Sequence, residues 1–410
     1  MKNAMTSSAV LKEDTDVFHN PRRRFHMLHY GSKEYKEAVS DAARNARTKI
    51  EGMIEKGQER GNAVVQKVVA EQPQDRLIRS EAFNVLPGMV DDWDSKNHAL
   101  LGSVPGLQLQ IPGQDGFEAL HKNAFTQLCE RAGIRVPGNF ARELTNVDPE
   151  LMADMLNRLY KNDMFKNRRF LLRSFDGQAR GWLSDKYRRL DSRPTLDAFI
   201  GAATKGGMVP VEGYTMSTKV ALKMLLPKVF EPAPNEVVAF GLSWENSDYG
   251  NGAQSVRAFV MRCWCTNFAI AEECLRQIHL GKRLSDDISY SSRTYKLDTE
   301  ATASAIADIA ENTLNPKRVE EYCSVIKQAH EEKVDVKTML NGMKSRIAKA
   351  DLEEVKDVFN SPDVENLPPG NTAWRLSNAL SWVAGKKEDG GDRLDLMKEA
   401  GKLVPFGQAI

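Results

Sequence analysis

Asp176-Gly177 stands between two runs of alternating residues, and this pairing constrains the fold more than any other feature of the chain. Asp-Gly is favoured where a two-residue hairpin needs positive φ at both turn positions. Before it stands Arg168-Arg169-Phe170-Leu171-Leu172-Arg173-Ser174-Phe175, and after it Ala179-Arg180-Gly181-Trp182-Leu183-Ser184-Asp185-Lys186-Tyr187-Arg188-Arg189-Leu190. A period of two puts Arg168, Phe170 and Leu172 on one face and Arg169, Leu171 and Arg173 on the other. By the same rule Arg180 and Trp182 share a face. Helical character follows over residues 195–200 and stops at Gly206-Gly207. Three runs of strand character come next, at 214–226, 236–244 and 255–265, and then a helix over 268–280 closed by Gly281. The order hairpin, helix, three strands, helix predicts an α+β fold. Its antiparallel β core is flanked by helical N- and C-terminal regions.

The flanks divide the chain into three parts. Residues 1–79 read as a polar arm containing Pro21-Arg22-Arg23-Arg24, followed by a long helix from Ser32 to Ala70 that ends before Pro73. Residues 80–297 form the α+β core. Its first part consists of short extended pieces broken by Pro87-Gly88, Pro105-Gly106 and Pro112-Gly113, which predict an added edge strand or hairpin. Helical periodicity over 118–132 and a second helix opened by Asp148-Pro149 complete that part. Residues 298–410 read as helices with a hinge at Asn315-Pro316 and a linker at Pro368-Pro369-Gly370.

Charge is informative through its distribution. The net charge is +1, which excludes a uniformly basic coat, but residues 158–193 hold 11 Lys/Arg against 4 Asp/Glu, whereas 298–365 hold 9 against 15. The first region attracts phosphate and the second repels it. Five cysteines without regular spacing predict no disulfide framework. No run approaches the roughly 18 apolar residues of a membrane span, and the first residues lack the apolar core of a secretory signal, so a cytoplasmic location is expected.

Catalytic signatures are weak. The chain has no phosphate-binding Gly-x-x-x-x-Gly-Lys-Ser/Thr loop, no His-Glu-x-x-His helix and no Gly-x-Ser-x-Gly elbow. Cys263, Cys265, Cys274 and His279 lie close in sequence, but at no usual zinc spacing, and no metal or other cofactor is expected. Asp185, Asp191 and Asp248 would have to converge to hold a divalent cation for a nuclease. The loop Asn246-Ser247-Asp248-Tyr249-Gly250-Asn251-Gly252 suits a tight turn; its other reading is a surface facing a ligand or a neighbouring subunit.

The stronger signal is the interleaving of cations and aromatics in the hairpin. Cations that track phosphates, with aromatic rings that stack on bases, are the parts of a single-strand binding surface. On this reading Arg168, Arg169, Arg173, Arg180, Lys186, Arg188 and Arg189 contact phosphates while Trp182 and Tyr187 stack. The competing reading makes the aromatics core and the arginines a solvated face.

These residues also carry a resemblance. The segment from Gly181 to Asp191, containing Leu183-Ser184-Asp185-Lys186-Tyr187-Arg188-Arg189-Leu190-Asp191, resembles a signature of a phage/plasmid-like family of unknown function. Asn246-Ser247-Asp248-Tyr249-Gly250, Cys265-Thr266-Asn267 and His279-x-Gly281 are similar to its later signatures. Ala124-Phe125-Thr126-Gln127-Leu128-Cys129 and Trp374-Arg375-Leu376-Ser377-Asn378-Ala379-Leu380 fit it as well. The resemblance spans roughly residues 80–400 and implies a mobile-element origin. The family's strand–helix order is in turn similar to that of phage single-strand annealing proteins, an analogy of fold. The expected function is therefore non-catalytic binding of single-stranded nucleic acid, DNA in preference to RNA. Strand annealing by a homo-oligomer is part of that expectation. A protein-interaction factor acting against a host defence and a metal-dependent nuclease are the alternatives.

Overall fold

The structure, a computed structural model, describes residues 26–28, 41–93, 100–134, 140–234, 236–263, 267–277, 279, 290–361, 367–387 and 390–404. The arginine triplet of the N-terminal arm, Cys265 and Gly281 lie outside the described residues.

In chain order, β1 (His26–Leu28) and the long helix α1 (Asp41–Ala70) come first. The strands β2 (Gln74–Arg79), β3 (Asn84–Trp93), β4 (Leu100–Gln110) and β5 (Phe117–Leu120) follow. Then come α2 (Lys122–Arg131), α3 (Phe140–Val147) and α4 (Pro149–Tyr160), the hairpin β6 (Arg169–Phe175) and β7 (Gln178–Ser184), and α5 (Ser192–Lys205). Six more strands are β8 (Val209–Thr215), β9 (Val220–Leu225), β10 (Lys228–Ala233), β11 (Glu236–Asn246), β12 (Gln254–Arg262) and β13 (Asn267–Gln277). The chain closes with α6 (Ser292–Asn312), α7 (Pro316–Glu331), α8 (Val336–Met343), α9 (Lys349–Asn360), α10 (Ala373–Lys386) and α11 (Gly390–Lys402). The fold is α+β, as expected. Among the described residues no helix is long and apolar enough to cross a membrane.

The β core is two sheets rather than one. The hairpin lies in a six-stranded sheet of order β2-β6-β7-β5-β4-β3, so the expected hairpin at 84–110 joins its edge. The later strands form a seven-stranded sheet in which β11 is the hub, pairing with β10, β9 and β12. All residues of β12 and all but one of β11 are buried, as expected for strands covered on both faces.

Residues 268–280 were expected to be helical, and of these 268–277 belong to the strand β13 instead, antiparallel to β12. Ala, Glu, Leu and Arg are good helix formers, but propensity is a small preference per residue, and pairing along the length of β12 outweighs it. Helix α11 then packs against β13. A side chain on Gly401 would strike the Ile270 carbonyl carbon at 2.7 Å, so helix and strand touch backbone to backbone.

Each sheet has its own apolar core. The six-stranded sheet packs Val85, Leu107, Leu109, Phe170, Leu172 and Trp182 against Leu128 of α2 and Met152, Leu156 and Tyr160 of α4. The seven-stranded sheet buries a larger cluster, including Phe240, Trp244 and Phe259, under α1, α5 and the C-terminal helices. A third, small apolar cluster separate from both is Leu171, Leu183 and Tyr187. Polar contacts also join the halves, among them those of Arg173 and Arg180 from the hairpin.

Candidate nucleic-acid interface

The turn at Asp176-Gly177 is a hairpin turn with φ of 49° and 71°, the positive values that the dipeptide predicts. Period-two alternation holds along β6. Phe170 and Leu172 enter the core of their sheet, while Leu171 and Arg173 face the other half of the molecule. In β7 it fails. The register with β6 shifts between the pairs Arg173–Gly181 and Ser174–Ala179, leaving Arg180 as the extra residue. Such a bulge re-aims a side chain. Ala179 and Trp182 both face the core, and Arg180 points to the opposite side, so the two residues expected to share a face do not.

Trp182 is fully buried and is not a stacking platform. Its indole stacks on Phe170 (centroids 5.3 Å apart, 22°) and lies 4.7 Å from the Phe83 ring. Its Nε1–H donates to the Tyr160 hydroxyl at 3.1 Å, which donates in turn to the Leu128 carbonyl. Tyr187 is likewise buried. Its ring lies parallel to that of His279, 4.9 Å away, and its hydroxyl donates to the Ser247 carbonyl at 3.2 Å. An aromatic with a polar tip and a partner for that tip is favoured inside, which is why the core reading prevails for both.

Four of the seven cations are also spent internally. Arg173, 1 % exposed, donates to Asp75 (2.7 Å), to Asp191 (2.5 Å) and to the Asp248 carbonyl (2.7 Å). Burial opposes its charge, but the carboxylates of Asp191, Asp75 and Asp248 outweigh burial and hold the guanidinium protonated well above its ordinary range. Arg180 donates to Glu71 of the segment after α1 (2.6 Å) and to the Ser217 carbonyl. Arg188 forms a two-pronged pair with Asp298 of α6, at 2.9 and 2.7 Å. Arg189 is ion-paired with Asp75 at 2.8 Å. A guanidinium fork matches a carboxylate as well as it matches a phosphate, and here the chain itself supplies the carboxylate.

The loop 246–252 is the other half of this seam. The Tyr249 carbonyl accepts from the amides of Asn123 and Gln127, both at 2.9 Å, and the Asp248 carboxylate accepts from the Ser192 backbone and hydroxyl at the start of α5. Gly250 has φ of 74°, and a side chain there would meet Leu183 at 2.5 Å. The loop is thus a clamp between the sheets. Burial lifts the Asp248 carboxyl to about 6, against the pull of Arg173 and with the repulsion of Asp191.

Of the carboxylates named for a divalent cation, Asp191 and Asp248 both lie beside Arg173, which occupies the space a cation would need, and Asp185 lies apart from them. Asp185 lies 3.9 Å from Arg169, Asp191 holds Arg173, and Asp248 caps α5. Cys263 is buried, Cys274 accepts from the Thr313 hydroxyl, and the His279 ring nitrogens face the Arg188 carbonyl and the Asn246 side-chain oxygen. Among the described residues no three metal-ligating side chains converge.

What remains outward is one end of the six-stranded sheet. Arg79 pairs across β2–β6 with Arg169, and the Arg168 carbonyl accepts from the Ser80 amide. Phe170 pairs with Ser184, which carries Asp185 and the half-buried Lys186 past the same end. The tight segment 161–168, with Asn167 at φ 62°, turns Lys161, Lys166 and Arg168 into solvent. Among the described residues Arg79, Lys161, Lys166 and Arg168 have no ion-paired carboxylate, and the Arg168 guanidinium lies 5.1 Å from the Phe165 ring centre. Glu81, Asp163 and Asp185 are acidic members of this rim, with Glu81 close enough to Arg79 to feel its charge and Asp185 beside Arg169. Three of the four rim cations, Arg79, Lys161 and Lys166, were not among the expected contacts. They lie on two segments, the end of β2 and the stretch 161–168, that only the folded chain brings together.

Comparison with known proteins yields no match to a family model, to a curated protein or to a solved structure.

Proposed function

We propose that this chain binds single-stranded nucleic acid without catalysing a reaction on it, DNA in preference to RNA. In this reading it is a protein of a phage or plasmid that promotes annealing as a homo-oligomer. The observation that carries the reading is the rim of Arg79, Lys161, Lys166 and Arg168, four exposed cations of which none is held in an ion pair among the described residues, at one end of the six-stranded sheet. Exposed cations suit a flexible phosphate backbone, because their exposure leaves room for it. The signature segment 181–191 takes a different part: its arginines close the seam that holds the rim's sheet against the rest of the molecule.

The test is anisotropy of a labelled oligothymidylate titrated with the protein over a range of salt. Affinity is expected to fall steeply with salt, because each phosphate neutralised releases counterions. Absence of binding at low salt, or binding indifferent to salt, contradicts the proposal.

A further inference from the structure

The burial of Trp182 and Tyr187 leaves the proposed strand-binding surface without an aromatic component, and the start of α6 carries one. Tyr290, 43 % exposed, meets Tyr295 edge to face, with ring centres 5.8 Å apart and planes at 82°. The Arg189 guanidinium lies 4.3 Å from the centre of the Tyr295 ring. Arg293 and Lys296 are exposed on the same turn, and Lys296 has only a long, exposed contact with Glu300. This turn is anchored to the hairpin's exit. Asp298 grips Arg188 with both oxygens, and the Thr299 hydroxyl donates to the Arg189 carbonyl at 2.7 Å. Ser291 caps the helix by accepting from the Thr294 amide. The rings therefore stand on a support tied to residues 188 and 189 at the hairpin's exit.

Two partly open phenol rings, one of them under the Arg189 guanidinium, stand on a turn that also exposes Arg293 and Lys296, a setting poorly suited to an apolar partner. They match a ligand that offers flat π-faces joined by phosphates. We infer that Tyr290 and Tyr295, with Arg189 over the second ring and Arg293 and Lys296 exposed on the same turn, form the base-stacking site for a single strand. The inference rests on the proposed function and adds where the bases sit. Arg189 keeps a place in recognition, through the ring that it covers.

The experiment compares full-length wild type, Tyr290→Ala, Tyr290→Phe and Tyr290→Ala/Tyr295→Ala on two oligomers of equal length. One oligomer is oligothymidylate and the other an abasic strand with the same phosphates. Stacking predicts that the double variant loses about five- to 150-fold in affinity for oligothymidylate, the range of one base–aromatic contact by alanine substitution. Its affinity for the abasic strand should stay within about twofold of wild type, and Tyr290→Phe should bind both strands like wild type. Equal losses on both strands, or no loss on either, overturn the inference while the rim reading stands. Wild type that binds neither strand overturns both. Should the double variant misfold, Tyr290→Ala alone decides, because an exposed ring can be truncated at little cost to the fold.

Discussion

Arg168 and Arg173 stand five residues apart at the start and in the middle of one strand region, and they have opposite fates. Arg173 is enclosed, with two carboxylates and a carbonyl on its guanidinium; Arg168 is exposed, with an aromatic ring beside it and no carboxylate in reach. The residue type is the same. What differs is the surface opposite: Arg173 faces α5 and the 246–252 loop, whereas Arg168 lies past the sheet's end. A basic run in sequence therefore marks two different things, a cation that fastens two halves of a molecule and a cation offered to a partner. Only the fold separates them.

The comparison breaks most directly at Arg173. Removing its side chain leaves Asp75, Asp191 and Asp248 near one another without their counter-charge, and deleting one partner of a buried ion pair costs about 3–5 kcal/mol. Arg173→Ala is expected to lower stability by that order in urea unfolding, with strand affinity per folded molecule unchanged. A stable variant with weakened binding would put Arg173 on the rim's side of the comparison.

A smaller effect sharpens the seam. The Asp248 carboxyl is lifted to about 6, above its ordinary 3.8, so the fold favours its protonated form. Its contribution to stability is present below about 4 and is lost as pH rises through 6. His121 and His279, pushed down to about 4 by burial, act in the opposite sense, losing stability as pH falls from 6.5. The informative quantity is thus the difference between wild type and Asp248→Asn. Between pH 7 and pH 4 wild type should gain about 1–3 kcal/mol relative to the variant. A pH-independent difference would contradict a buried, destabilised carboxylate in the clamp.

The hairpin, its turn, the helix after it and the strands at 236–246 and 254–262 were legible because period and turn chemistry are local. The split into two sheets was not, since it depends on which edge each strand finds. The bulge at Arg180 was also hidden, and one extra residue was enough to separate Arg180 from Trp182. Residues 268–277 were misread because a helix-favouring composition yielded to pairing with β12. Of the nine expected contacts, Arg168, Arg169 and Lys186 lie at the sheet's outer end. Trp182 and Tyr187 went to the interior because their polar tips found partners there, and Arg173, Arg180, Arg188 and Arg189 met Asp75, Asp191, Glu71 and Asp298. Those acids lie up to 110 residues away in sequence, beyond the reach of a local charge count. Tyr290 and Tyr295 were missed because two tyrosines at a helix start carry no periodic signal of exposure.

The rim is where substitution should disturb the fold least and the proposed function most. Arg79→Gln, Lys166→Gln and Arg168→Gln each remove an exposed charge, and each should change stability by less than about 0.5 kcal/mol. The direct measurement is the salt dependence of single-strand affinity for wild type and this triple variant. If the rim carries the phosphates, the slope of log affinity against log salt should flatten by about 2 in the variant, at roughly 0.7 per lost phosphate contact on a single strand. An unchanged slope in a folded triple variant would contradict the account and return the binding surface to another part of the molecule.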